Sequence, residues 1–250
     1  METERDFVIM AAGGNGTAIR VIPDALSRQE YEAEGKRLQQ YYASAEQSGF
    51  FVASKNHFEM AGGEFCGNAT RAAAIVAASF SKSASVNFTV SGYDGVVEAQ
   101  VQRIKAKEYF VTCWFPKMRS TNQLRETSDG IFVWVVDLGG IVHALVSEPF
   151  HNDVDWYRSR HERIRSELHL GDREAVGVIW YRRINGGVKI NPVIWVKAID
   201  SLIYEEACGS GSIATSIVTG NEEIRQPTGE LIRVQASADG IRIASQMRLV

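Results

Sequence analysis

Gly62-Gly63-Glu64-Phe65-Cys66-Gly67-Asn68-Ala69-Thr70 and, in the other half of the chain, Glu205-Glu206-Ala207-Cys208-Gly209-Ser210-Gly211-Ser212 are two versions of one local device. In each, a cysteine is followed by a glycine and a short polar residue, and then by a run of small apolar residues. The strong helix formers of Ala69–Phe80 predict a helix there, and the small-residue apolar run Ser212–Val218 reads as a second one, each entered through a Cys-Gly turn. Residues Ala72 to Ala78 are apolar nearly all round, as in a helix buried on every side. The first backbone N–H groups of a helix lack internal acceptors and sit at the positive end of its dipole. A thiol placed there is expected to have its thiolate stabilised and its pKa lowered. The same N–H groups can hold a carboxylate, with glycine permitting close approach.

Working outward, the surroundings of the two turns repeat. The first half reads as a strand at Phe7–Met10, a glycine-rich turn at Gly13–Gly16, a strand at Thr17–Ile22 and a polar surface helix at Ser27–Ala45. Short strands follow at Phe50–Val52 and Phe58–Met60. After the buried helix come strands at Val86–Val90, Gly95–Val101 and Tyr109–Phe115. Beyond the polar stretch Pro116–Asp129 the order recurs: strands at Phe132–Leu138 and Val142–Val146, a charged helix at Asp153–Leu168, and strands at Val176–Tyr181 and Val188–Val196. The second Cys-Gly helix comes next, then strands at Leu231–Ala236, Gly240–Ala244 and Met247–Val250. This predicts an α/β protein of two similar halves: residues 1–118, carrying Cys66 and completed by a last strand at 240–250, and residues 119–239, carrying Cys208.

Composition narrows the partners. The chain has 250 residues, 45% of them hydrophobic and 23% charged, with a net charge of −3. That is a soluble globular composition with no basic field for nucleic acid. No apolar run approaches the ~20 residues of a membrane span, and Met1–Asp6 is too charged for a secretory signal. Three cysteines do not make a disulfide scaffold. The expectation is a reduced, cytoplasmic protein acting on a small molecule, with no nucleic-acid or membrane partner. CxxC and HxxxH spacings are absent, so no metal site is expected. Gly13–Gly16 lacks the Lys-Ser/Thr of a phosphate loop.

Placed face to face, the two halves bring two thiols to flank one bound carboxylate. For an amino acid held there, one thiolate removes the Cα proton and the opposite thiol delivers another from the far face, inverting the centre. Neither a metal nor an organic cofactor is required. The plainer readings are two buried structural cysteines, or a regulatory disulfide between Cys66 and Cys208. Cys113, alternating within Tyr109–Phe115, reads as a sheet residue, and Glu64 as a brace for its turn. His143 reads as a core or hinge histidine, with a substrate-facing role as the alternative. His57 reads as surface; His151, His161, His169 and the arginines of Arg158–Arg165 read as solvated. Trp134, Trp180 and Trp195 read as core.

The motif Gly62–Arg71, together with Ala207–Gly211, resembles the diaminopimelate epimerase family of amino-acid racemases, which use two cysteines and no pyridoxal phosphate. Gly14-Asn15-Gly16-Thr17, Glu46-Gln47, Asn191-Pro192 and Gln226-Pro227-Thr228-Gly229 resemble further signatures of that family. The resemblance spans the chain. It implies a diaminopimelate epimerase-like fold of two pseudo-symmetric domains, each a curved antiparallel-rich sheet around a central helix, with the active site in the interdomain cleft. It further implies Cys66 and Cys208 as the acid/base pair. Gly67, Asn68, Gly209 and Ser210 would then hold the α-carboxylate, Asn15, Gln47 and Asn191 would line the pocket, and Glu205 would receive the α-ammonium.

This sequence departs from the diaminopimelate enzymes where they carry a Glu-Arg pair before the second cysteine. Asp200–Ala207 has no arginine, so a second carboxylate should be rejected in favour of a neutral, basic or aromatic side chain. The shortened motifs look most like the histidine racemases of opine-metallophore pathways, with Glu59 or Gln47 accepting the imidazole. Diaminopimelate epimerisation and a non-catalytic amino-acid-binding protein of the same fold are the alternatives. The related phenazine-biosynthesis isomerases lack the thiols. A homodimer is a further expectation.

Overall fold

The structure is a computed structural model and describes residues 5–250. The reading of Met1–Asp6 as no secretory signal therefore falls mostly on residues outside the described part. Strands β1 (Arg5–Ala11) and β2 (Gly14–Ile22) form a hairpin, followed by α1 (Arg28–Tyr41), β3 (Gln47–Val52) and β4 (His57–Met60). Then come α2 (Gly67–Ser81), β5 (Ser85–Val90), β6 (Tyr93–Lys105) and β7 (Glu108–Pro116). The second half contains β8 (Thr121–Glu126), β9 (Phe132–Asp137), β10 (Val142–Val146), α3 (Val154–Glu167), β11 (Ala175–Ile184) and β12 (Gly187–Val196). It ends with β13 (Ser201–Tyr204), α4 (Gly209–Thr219), β14 (Glu223–Arg225), β15 (Leu231–Ser237) and β16 (Gly240–Leu249).

One continuous sheet runs in the order β1-β2-β3-β4-β5-β6-β7-β16-β15-β14-β12-β11-β10-β9-β8, with β13 added on β12. Because β1 also pairs β16 antiparallel, β1–β7 and β16 close into a barrel. Helix α2 fills it, and all residues from Gly67 to Ala77 are buried. The remaining strands curve round α4, which is buried from Gly209 to Ser216. Helices α1 and α3 lie outside the sheet, α1 on β3 and α3 on β11, β12 and β13. Ser27 caps α1 with a reciprocal Ser27–Glu30 pair, and Asp153 caps α3.

Pleating sorts the second half into two cores. On β12, Ile190, Ile194 and Val196 face the central core, while Val193 and Trp195 join the cluster beneath α3. That cluster corrects the expectation that His161 is solvated. With Tyr157, Ile164 and Leu168, it forms the buried stripe of α3, and it pairs with the Val176 carbonyl at 3.0 Å. The arginine face of α3 is likewise only partly solvated. Arg160 pairs with Asp129 at 2.9 Å, and Arg165 stacks over Trp195 at 3.9 Å. Cys113 is fully buried in β7, as expected.

Candidate active site

Both cysteines are the N-cap of a central helix, in the same backbone conformation: φ −130°, ψ 112° at Cys66 and φ −133°, ψ 111° at Cys208. Each sulfur accepts a hydrogen bond from the amide three residues on, Ala69 N–H at 3.4 Å and Gly211 N–H at 3.3 Å. Thr70 Oγ1 and Ser212 Oγ each return to the carbonyl of their cysteine, at 2.8 and 2.6 Å. The two helix starts meet end to end. A Cβ on Gly209 would lie 2.8 Å from the Asn68 nitrogen, so only glycine allows this approach. Asn68 Nδ2 donates across the junction to the Ala207 carbonyl at 2.8 Å.

A hydrogen-bonded chain runs from the Cys66 thiol through Gln47 and Asn15 to Glu205. The Cys66 thiol donates to Gln47 Oε1 at 3.2 Å, and Gln47 Nε2 donates to Asn15 Oδ1 at 2.5 Å. Asn15 Nδ2 donates to Glu205 Oε1 at 3.2 Å and to Glu46 Oε2 at 3.1 Å. Cys208 Sγ lies 3.7 Å from Ser210 Oγ, and Glu205 acts on the Cys208 thiol through its charge. Gln226, fully buried, accepts from Cys208 N–H at 2.8 Å and donates to Ser212 Oγ at 2.9 Å, fixing the second turn.

Cys66, Cys208, Gln47, Gly209 and Ser210 line a cleft between the halves together with Glu46, Glu64 and Glu205. Its apolar wall is Phe65, Ile141, Ile194, Val196, Ile199 and Ile203. Burial raises Glu46 and Glu64 to about 7 and Glu205 to about 8. Glu64 Oε2 is buried with no hydrogen-bond partner among the described residues. The expected lowering of the thiol pKa is corrected. Burial, reinforced by Glu205, pushes Cys66 up to about 12 and Cys208 well above its ordinary value, outweighing the helix amides. Among the described residues no group of three or more His, Cys, Asp or Glu has the arrangement of a metal site. Among the described residues no helix is long and apolar enough to cross a membrane.

The family model for the histidine racemase CntK N-terminal domain matches residues 5–248. The chain belongs to that family. Histidine racemases from two strains of Fusobacterium nucleatum subsp. nucleatum are 28% identical to it over 214 residues, covering 84% of this chain and 78% and 79% of theirs. Among solved structures, a predicted epimerase from Pseudomonas aeruginosa superposes with a TM-score of 0.64 at 14% identity, covering 99% of this chain and 97% of that one. A putative phenazine biosynthesis PhzC/PhzF protein from Clostridium difficile has a TM-score of 0.57 at 14% identity, with the same coverage of each chain. At such identities these structures show a shared fold.

Within this histidine racemase family frame, the expected residues divide. Cys66, Cys208, Gln47, Glu205, Gly209 and Ser210 gather at the cleft, with Asn15, Gly67 and Asn68 in the shell behind them. Two do not join them. Asn191 points to the α3 side of β12, where its Nδ2 donates to Tyr157 Oη at 2.8 Å. Glu59 sits on the outer face of β4, paired with Arg28 at 2.6 Å and His57 at 2.8 Å; the same contacts make His57 half-buried. His143 is fully buried against Gly177, next to Ile194, without reaching the cleft. Glu46 and Glu64 were not among the expected pocket residues, and Gln226 was read only as part of a turn. Their sequence signals were adjacency to Gln47 and Cys66, and a polar residue fixed ahead of Pro227.

Proposed function

We propose that this chain racemises free histidine without pyridoxal phosphate, one cysteine thiolate taking the Cα proton and the other cysteine returning one. The observation that carries this is the matched pair of cysteine N-caps at abutting helix ends. The names of its Fusobacterium relatives support the substrate. The reading takes residues 1–118 with 240–250, and 119–239, as two diaminopimelate epimerase-like domains whose cleft holds the substrate.

The α-carboxylate belongs at the starts of α2 and α4, and the α-ammonium beside Glu205 and Asn15. Glu64 and Glu46 are the acceptors left for the imidazole N–H groups, against the isoleucine wall. Above about pH 8, where Glu205 is ionised, an ammonium beside it cancels the negative charge that helps hold both thiols protonated, so substrate binding favours loss of one thiol proton to solvent, leaving a thiolate. That thiolate then takes the Cα proton, and the C–H electron pair spreads onto the carboxylate. The opposite thiol gives its proton to the other face of Cα, and the two cysteines have exchanged roles. Gln47, bonded to the Cys66 sulfur, holds it in line.

The test is proton NMR of L-histidine in D2O, with EDTA and no added pyridoxal phosphate, alongside chiral chromatography. The expected result is loss of the Cα–H signal with formation of D-histidine, abolished in both directions by Cys66→Ala or Cys208→Ala. Exchange surviving in Cys66→Ala would overturn the two-thiol mechanism. Histidine binding without exchange would leave a binding protein instead.

A further inference from the structure

Arg71 lies one turn into α2, inside a run of alanines, and none of its surface is exposed. Its Nη2 donates to Asn68 Oδ1, while Nε and Nη1 have no partner among the described residues. Taking a guanidinium out of water costs several kcal/mol unless charges or hydrogen bonds compensate. One side-chain bond does not. A residue needed only to brace Asn68 could be small and neutral.

The charge balance of the cleft supplies a reason. Three carboxylates line it, Glu46, Glu64 and Glu205, and no Lys or Arg does among the described lining residues. A substrate carboxylate must nevertheless sit there, and its charge grows when Cα–H is broken. Arg28 acts on Glu64 from the side of Gly63; at the helix junction itself the positive sources are the two helix N-termini and Arg71. The guanidinium is anchored on Asn68, which reaches the residue before Cys208 through the Ala207 carbonyl. Burial lowers Arg71 only to about 10, so it remains a cation at neutral pH, and its charge reaches Cys113 first and then Cys66 and Cys208.

We infer that Arg71 is a positioning residue that sets Asn68 across the helix junction and supplies the buried counter-charge for the bound carboxylate and for the electron pair delocalised onto it during proton removal. This rests on the racemase reading above. Arg71→Gln keeps an amide donor for Asn68 and removes the charge; Arg71→Lys keeps the charge. Two readouts apply: kcat and KM for histidine Cα–H exchange, and the pH profile of Cys66 alkylation by iodoacetamide, read by mass spectrometry.

Arg71→Gln should lower kcat roughly 10- to 100-fold, more than it raises KM, and move the alkylation profile upward, seen as slower Cys66 alkylation at a fixed alkaline pH. Arg71→Lys should keep the wild-type alkylation profile and recover most of the kcat. A Gln variant within about threefold of wild-type kcat and with an unmoved profile overturns the inference. Should the Gln protein fail to fold, Arg71→Lys alone decides, because a shifted profile there removes the charge argument. Wild-type protein that exchanges no histidine sinks the racemase reading, while the alkylation comparison still decides the role of Arg71.

Discussion

Glu46, Glu64 and Glu205 stand around two thiols that burial holds in the protonated form. The pH dependence of substrate capture follows from these carboxylates. They take up protons as pH falls through about 8 and then about 7, and a neutral carboxyl no longer holds an ammonium. On the proposed function, kcat/KM for histidine should climb between about pH 6 and 9, and Glu205→Gln should flatten that limb as well as weaken binding. A wild-type profile flat across this range would contradict the assignment. Asn191→Leu makes a separate prediction. It removes one of two donors to the Tyr157 hydroxyl, the His151 N–H at 2.7 Å remaining, so urea unfolding should show a loss of roughly 0.5–1.5 kcal/mol while kcat stays within a few-fold of wild type. Gln226→Leu instead leaves the Cys208 amide unpaired and removes the bond that Ser212 Oγ accepts, while Ser212 keeps its own bond to the Cys208 carbonyl. Stability and exchange should fall together.

The end-to-end meeting of α2 and α4 is the element-scale feature on which the site depends. Gly209→Ala puts a methyl 2.8 Å from backbone atoms of Gly67 and Asn68, which cannot yield as a flexible side chain would. The helices must separate, so kcat should drop by roughly 10²-fold or more with far-UV circular dichroism unchanged. Both helices were legible in the sequence because small apolar runs behind a capping turn have few other solutions. Strands β8, β13 and β14 were not. Thr121–Glu126 is polar and exposed, and Ser201–Tyr204 and Glu223–Arg225 are too short to show alternation. Partners across the sheet, not local pattern, make them strands. Asn191 and Glu59 illustrate the same limit, since register sets which face of a strand looks into the cleft. His161 was readable in principle from its helical spacing with Tyr157, Ile164 and Leu168. The thiol pKa was not, because burial and distant carboxylates decide it.

At the scale of the whole molecule, buried neutral histidines set an acid limit. Burial lowers His143 to about 3 and His161 to about 4 from an ordinary 6.5. Unfolding lets both protonate, so the stability they allow is complete above about 6.5 and is lost as pH falls toward their folded values. His143→Leu should therefore gain roughly 2–3 kcal/mol relative to wild type between pH 7 and pH 4, measured by urea unfolding. A gap between the two proteins that does not change with pH would show that His143 is not held neutral. Strand β16 pairs with β1, β7 and β15, so the barrel holding Cys66 is closed by residues more than a hundred positions beyond the rest of it. On the ribosome, β1 and β7 must therefore wait as open edges while the Cys208 half is still being made. The Cys66 turn takes its final shape only after Gly240–Leu249 has been made, and a nascent chain stalled before Gly240 is the species that most needs a chaperone.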